Sequence, residues 1–128
     1  MRHAFKPDAT KRQRATKKQA RAGGGGAARA YWCAACTTRV AGEDDAIEVA
    51  GAHRHRFVNP AGVEFEVGCF AAAACLSDGE PTLEHTWFPG WAWSYALCRN
   101  CHAHLGWRYV GSGPPFFALI LPRLVGPI

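Results

Sequence analysis

Residues 84–109 read EHTWFPGWAWSYALCRNCHAHLGWRY, and their spacing decides what this chain can build. Two apolar runs, 91–98 and 104–110, flank Cys98-Arg-Asn-Cys101, a C-x-x-C turn that can hold two thiolates on one side. Pro89-Gly90 breaks the chain before the first run, and Gly-Ser-Gly-Pro-Pro at 111–115 breaks it after the second. Residues 116–121 then read as another strand. Upstream, Val63, Phe65 and Val67 alternate with Glu64 and Glu66, the period-two signature of a half-buried strand. Residues 54–58 are a further strand candidate, and Asn59-Pro60-Ala61-Gly62 between them has turn chemistry, so the pair reads as a hairpin. The only helix-like piece is 70–76. The expectation is a mostly β domain of short antiparallel strands.

A second C-x-x-C pair, Cys33-Ala-Ala-Cys36, lies far upstream, with 61 residues between Cys36 and Cys98. Together the pairs supply the four sulfurs of a closed tetrahedral zinc site, in which no position is left for a reactive water. One structural Zn²⁺ is therefore expected at Cys33, Cys36, Cys98 and Cys101, tying two remote segments together. The other reading of the pairs is two C-x-x-C disulfides. His102 and His104 beside the second pair could replace a sulfur, although such histidines are more often neighbours of the metal. Cys69 and Cys75 read as small buried apolar residues.

The charge is uneven. Residues 1–30 hold nine of the fifteen Lys and Arg against Asp8 alone, and then a run of four glycines at 23–26. We expect a disordered basic arm at 1–30 and a folded zinc-binding domain at 31–128, which carries all five Trp and all six Cys. A solvated tail is the simplest reading of the arm; a weak, salt-sensitive, non-specific nucleic-acid contact is the second. No stretch has the ~18 consecutive apolar residues of a membrane helix, and the start lacks the apolar core of a secretory signal, so the expected location is cytoplasmic. A basic start poor in acids also fits an organellar transit peptide.

Four of the five tryptophans, Trp87, Trp91, Trp93 and Trp107, cluster around the second C-x-x-C. Some of them can simply fill a small core. The turn Trp87-Phe88-Pro89-Gly90, however, reverses the chain and can bring Trp87 against Trp93 as two walls, with Trp107 as a third. Such an aromatic cage receives a small ligand and has no acid–base pair. Periodicity does not choose between Trp91 and Trp93, because residues two apart face the same side.

These residues closely resemble the cereblon thalidomide-binding (CULT) domain family: the run 84–98, the segment 101–109, Asn59-Pro60-Ala61-Gly62 and both C-x-x-C pairs. Having little beyond this region except its arm, the chain resembles the single-domain bacterial homologues. The resemblance implies a β-tent, two antiparallel sheets pinned by zinc. It also implies a pocket for cyclic imides such as the glutarimide ring of thalidomide, with uracil-type rings and cyclised C-terminal Asn or Gln as other ligands. By resemblance Trp87, Trp93 and Trp107 are the walls, and the backbone of His85 and Trp87 meets the imide. Asn59 and Pro60 form the rim, and Tyr109 lies beside the cage. Phe65 stands where the eukaryotic family tends to have His, and Thr86 where Ser is common, so both belong to the expected site. The protease-like domain and the adaptor-binding region of eukaryotic cereblon have no counterpart, so ubiquitin-ligase receptor function is not expected.

Two other functions compete. Cys101-His-Ala-His-Leu-Gly also resembles the zinc segment of B-type methionine sulfoxide reductases, but those enzymes need a nucleophilic Cys after Arg-Tyr. Here Arg108-Tyr109 is followed by Val110, and no cysteine occurs after Cys101, so no enzyme is expected. A methyl-ammonium reader would also use an aromatic cage, with Glu84 as the nearby carboxylate.

Overall fold

A computed structural model describes residues 29–127. The predicted arm lies outside the described residues apart from Arg29 and Ala30, and Ala30 already opens the first strand. The described residues form β1 (Ala30–Cys33), β2 (Arg39–Gly42), β3 (Arg54–Val58), β4 (Glu64–Phe70), β5 (Cys75–Thr82), β6 (Ala92–Cys98), β7 (His104–Val110), β8 (Phe116–Ile120) and β9 (Leu124–Val125). They make two antiparallel sheets, a small one ordered β2-β1-β9 and a large one ordered β3-β4-β8-β7-β6-β5.

The mostly β expectation holds, and the 59–62 turn joins β3 to β4 as predicted. Its first residue fixes the hairpin: Asn59 Oδ1 accepts from the Ala61 and Val63 amides, both at 2.9 Å, while Gly62, at φ 86°, donates to the Asn59 carbonyl. The helix predicted over 70–76 is absent. Phe70 ends β4 and Cys75 begins β5, and between them the Ala74 amide donates to the Val40 carbonyl of the small sheet at 2.8 Å. Ala72, Ala73 and Ala74 are buried. Cross-sheet hydrogen bonding and burial override the helix preference of an alanine run.

β8 decides where the core sits. All five of its residues are buried, and successive side chains go to opposite faces. Phe117 and Leu119 join Tyr31, Val40, Phe70, Leu105 and Leu124 in a core shared with the small sheet. Phe116, Ala118 and Ile120 join Val67, Phe88, Trp107 and Tyr109 in a second core on the other face. The second core underlies the aromatic cavity described below. Cys69 and Cys75 are buried as expected.

Each C-x-x-C pair closes one hairpin. Cys33–Cys36 turns β1 into β2 in the small sheet, and Cys98–Cys101 turns β6 into β7 in the large one. The two turns share one backbone pattern. The residue after the second cysteine, Thr37 or His102, has φ of 63° or 66°, and its amide donates back to the carbonyl of Cys33 or Cys98, at 2.7 and 2.9 Å. A non-glycine residue tolerates this left-handed conformation only where the surroundings fix it. Bringing four cysteines together is such a constraint.

Candidate functional site: a four-cysteine cluster and an aromatic cavity

The sulfurs of Cys33, Cys36, Cys98 and Cys101 all lie within 4.8 Å of one another. Across the two turns, Cys33 Sγ is 3.7 Å from Cys101 Sγ and Cys36 Sγ is 3.7 Å from Cys98 Sγ. A tetrahedron with ~2.3 Å metal–sulfur bonds has sulfur–sulfur edges of about 3.8 Å, whereas a disulfide needs ~2.05 Å. The four cysteines thus fit a metal ion as they stand, and the cluster joins one hairpin of each sheet. Burial raises the thiol pKa of Cys33 and pushes that of Cys98 up to about 12. Cys36 is lowered to about 5, first by the Thr38 hydroxyl 3.2 Å from its sulfur and then by Asn100. One pole of the cluster is therefore already polarised toward thiolate, the form that ligates metals.

On the opposite side of β6 and β7 lies a cavity of about 450 Å³, lined by Asn59, Pro60, Phe65, His85, Trp87, Trp93, Tyr95, His104, Trp107 and Tyr109. Strand register explains the cluster. Trp93 is opposite Tyr109 and Tyr95 is opposite Trp107, so the period-two alternation of two paired strands puts all four rings on one face. Trp87 arrives from the turn and meets Trp107 at 4.8 Å between centroids and 77°. Phe65 of β4 meets Trp107 at 5.3 Å, edge to face.

The indoles are oriented by their polar edges. Trp93 Nε1 donates to the Glu84 carbonyl at 2.8 Å, and Trp87 Nε1 donates to the Val58 carbonyl at 3.3 Å. With its N–H satisfied by backbone, each ring presents carbon surface. Phe57 stacks on Trp87 at 4.8 Å and 11°, supporting it from the β3 side. The turn that leads from β5 into Trp87 carries His85 at φ 58°. Tyr109, fully buried, has its phenol pKa raised by burial, opposed by a hydrogen bond with the Trp87 backbone.

Of the nine residues predicted for the ligand site, eight line this cavity, and Thr86 does not. Its hydroxyl is 2.6 Å from the Trp91 carbonyl and also within 3.3 Å of the Phe88 carbonyl and amide, so it braces the turn. Trp91 and Trp93 separate: Trp91 packs on Phe116 at 5.2 Å beneath Gly111, which has no room for a side chain on that side. Two lining residues were not expected. Tyr95 follows Trp93 at the same period, so alternation could have found it. His104 is offset by three from Trp107, which would place it on the other face of a regular strand. A bulge at Leu105 interrupts the register, Ala96 pairing with Gly106 but Leu97 with His104, and turns His104 to the cavity. His104 is thus a cavity wall, and neither His104 nor His102 belongs to the four-sulfur cluster.

No family model matches the chain. It is similar to protein cereblon of Gallus gallus, 42% identical over 57 residues, which is 44% of this chain and 13% of that protein. Protein cereblon of Danio rerio is 37% identical over 78 residues, 56% of this chain and 18% of that protein. Protein cereblon of Drosophila grimshawi is 28% identical over 103 residues, 75% of this chain and 15% of that protein. Over part of its length the chain is similar to these cereblons. This agrees with the CULT-domain resemblance carried by the Trp and Cys motifs, and the chain spans less than a fifth of the length of these cereblons. Among the described residues, no helix is long and apolar enough to cross a membrane.

Proposed function

We propose that this domain is a binding module, without catalytic activity, that holds cyclic imides in the cage of Trp87, Trp93 and Trp107 and is pinned by one structural Zn²⁺ at Cys33, Cys36, Cys98 and Cys101. The observation that carries the reading is the convergence of three indoles from a turn and two strands on one cavity, their faces apolar and two of their N–H groups tied to backbone. A flat five- or six-membered ring fits between such faces, and the backbone of 85–87 can meet the donor and acceptors of an imide edge. Asn59 and Pro60 form the rim. Phe65 makes that rim apolar, and Tyr109 holds the turn from beneath. The ligand class includes the glutarimide of thalidomide, uracil-type rings and cyclised C-terminal Asn or Gln. We place the protein in the cytoplasm.

The methyl-ammonium reading is the weaker one, because no carboxylate is among the described lining residues, and such cages hold a cation best with an anion beside it. The sulfoxide-reductase reading lacks its nucleophile. Glutarimide has eight heavy atoms, so micromolar affinity would need roughly 1 kcal/mol per atom, near the ceiling for tiny ligands; micromolar or weaker binding is expected. Tryptophan fluorescence titrated in parallel with uracil, succinimide, glutarimide and trimethyl-lysine tests the class. The imides are expected to saturate the signal and trimethyl-lysine to leave it flat. Saturation by trimethyl-lysine alone would replace this reading by the cationic one.

A further inference from the structure

His104 is held from both ring nitrogens. Its Nε2 is 2.9 Å from the Gly106 carbonyl, and its Nδ1 is 3.3 Å from Arg123 Nη1, which also donates to the His104 carbonyl at 2.8 Å. A guanidinium nitrogen only donates, so Nδ1 must accept; the single ring proton then sits on Nε2, where Gly106 accepts it. The ring so fixed meets Trp107 edge to face at 5.0 Å and Tyr95 at 5.3 Å, bridging two walls of the cavity. Arg123 also reaches the third side, its guanidinium carbon 5.9 Å from the centre of Phe65, and its carbonyl accepts from Ala34 inside the first cysteine turn.

We propose that Arg123 is a positioning residue for the cavity, holding His104 as the neutral Nε2–H tautomer and thereby fixing the wall that His104 shares with Tyr95 and Trp107. The ligand part of this inference rests on the imide reading; the tautomer does not. A protonated His104 would point an N–H at the Arg123 guanidinium, so the latch and the protonated ring exclude each other. The titratable groups facing His104 are Arg123 from the segment after β8, Tyr95 from β6, and, across the cavity, His85 and Tyr109. β8 carries none, and Glu64 and Glu66 of β4 pair outward with Arg56 and Arg54. Burial lowers the His104 pKa most, the Gly106 carbonyl raises it, and Arg123 lowers it again. A histidine depressed in the folded state leaves the unfolded chain binding more protons, so stability falls as pH drops from about 6.5 toward the folded value. Affinity for an imide is expected to fall over the same window as the latch opens.

The experiment is a ¹⁵N-resolved NMR titration of His104 in the intact zinc-loaded chain and in Arg123→Gln and Arg123→Lys, with uracil affinity measured at pH 5 and pH 8. The wild type is expected to show the Nε2–H tautomer and a midpoint below that of a free histidine. Arg123→Gln should move the midpoint up and mix the tautomers. Arg123→Lys, which keeps the charge but loses the fork, should hold the midpoint and still mix the tautomers. An Nδ1–H tautomer in the wild type, or an unchanged midpoint and tautomer in Arg123→Gln, would overturn the proposal. Uracil affinity should be lower at pH 5 than at pH 8, and in Arg123→Gln it should already be reduced at pH 8. Affinity that is the same in both proteins and at both pH values would overturn the positioning role. If His104 behaves as expected while uracil binds at neither pH, the imide reading fails and the latch stands.

Discussion

Cys98→Ser is expected to leave the purified chain without bound metal and without a cooperative thermal transition. The size of the effect follows from where the cluster sits. It closes the β1–β2 hairpin and the β6–β7 hairpin and joins the small sheet to the large one, so it links segments more than sixty residues apart. A structural Zn²⁺ contributes on the order of 10 kcal/mol, comparable to the whole net stability of a small domain. With three ligands that contribution collapses, and the left-handed residues Thr37 and His102 lose the constraint that holds them. Circular dichroism melts with metal analysis check this. Cys69→Ser is the control: Cys69 is buried in the second core with Val67 and Phe116 and stands outside the four-sulfur cluster, so the variant should keep its metal while melting lower. Metal-free Cys98→Ser protein with an unchanged melt would show that the sheets do not depend on the cluster.

Trp93→Ala is expected to abolish measurable imide binding while the metal and fold remain. The Trp93 ring closes the cavity from β6, its N–H tied to Glu84, and it is only half-buried, packing at the margin of the second core. Truncating a large aromatic anchor costs a binding site about 2–4 kcal/mol, roughly thirty-fold or more in affinity. For a bare ring that starts at tens of micromolar, that moves binding to about millimolar, beyond titration. Trp107 is less clean, because it is buried and its removal also costs the core about 3–5 kcal/mol. Trp32→Ala is the matching control: Trp32 is 42% exposed on β1 and touches none of the cavity, so binding should be unchanged. Tryptophan-independent calorimetry is the suitable readout for both variants.

What the sequence made legible was local and periodic. The hairpin of 54–58 with the alternating 63–67, the strands on either side of Cys98-Arg-Asn-Cys101 and the strand at 116–121 follow from alternation, apolar runs and turn residues, and the two C-x-x-C pairs point to the cluster. The small sheet was not legible. β1, β2 and β9 have four, four and two residues, and β9 pairs with β1 across some ninety residues of chain. β5 carries Ser77, Asp78, Glu80 and Pro81 at an exposed edge, a composition that hides a strand and discourages further pairing. His104 was missed because its place depends on a one-residue bulge, and Thr86 was misplaced because a hydroxyl in a tight turn serves the backbone first.

The most direct test of the central claim compares glutarimide with N-methylglutarimide by calorimetric titration of the zinc-loaded chain. Methylation removes the one donor of the imide edge and puts a methyl group where the backbone near His85 and Trp87 must approach, yet leaves the ring face unchanged. An imide pocket should lose at least the ~1–3 kcal/mol of an unsatisfied buried group, so that the N-methyl derivative binds about five-fold to a hundred-fold or more weakly than glutarimide. Equal affinity for the two would contradict the account, because the cage would then be reading only a flat ring.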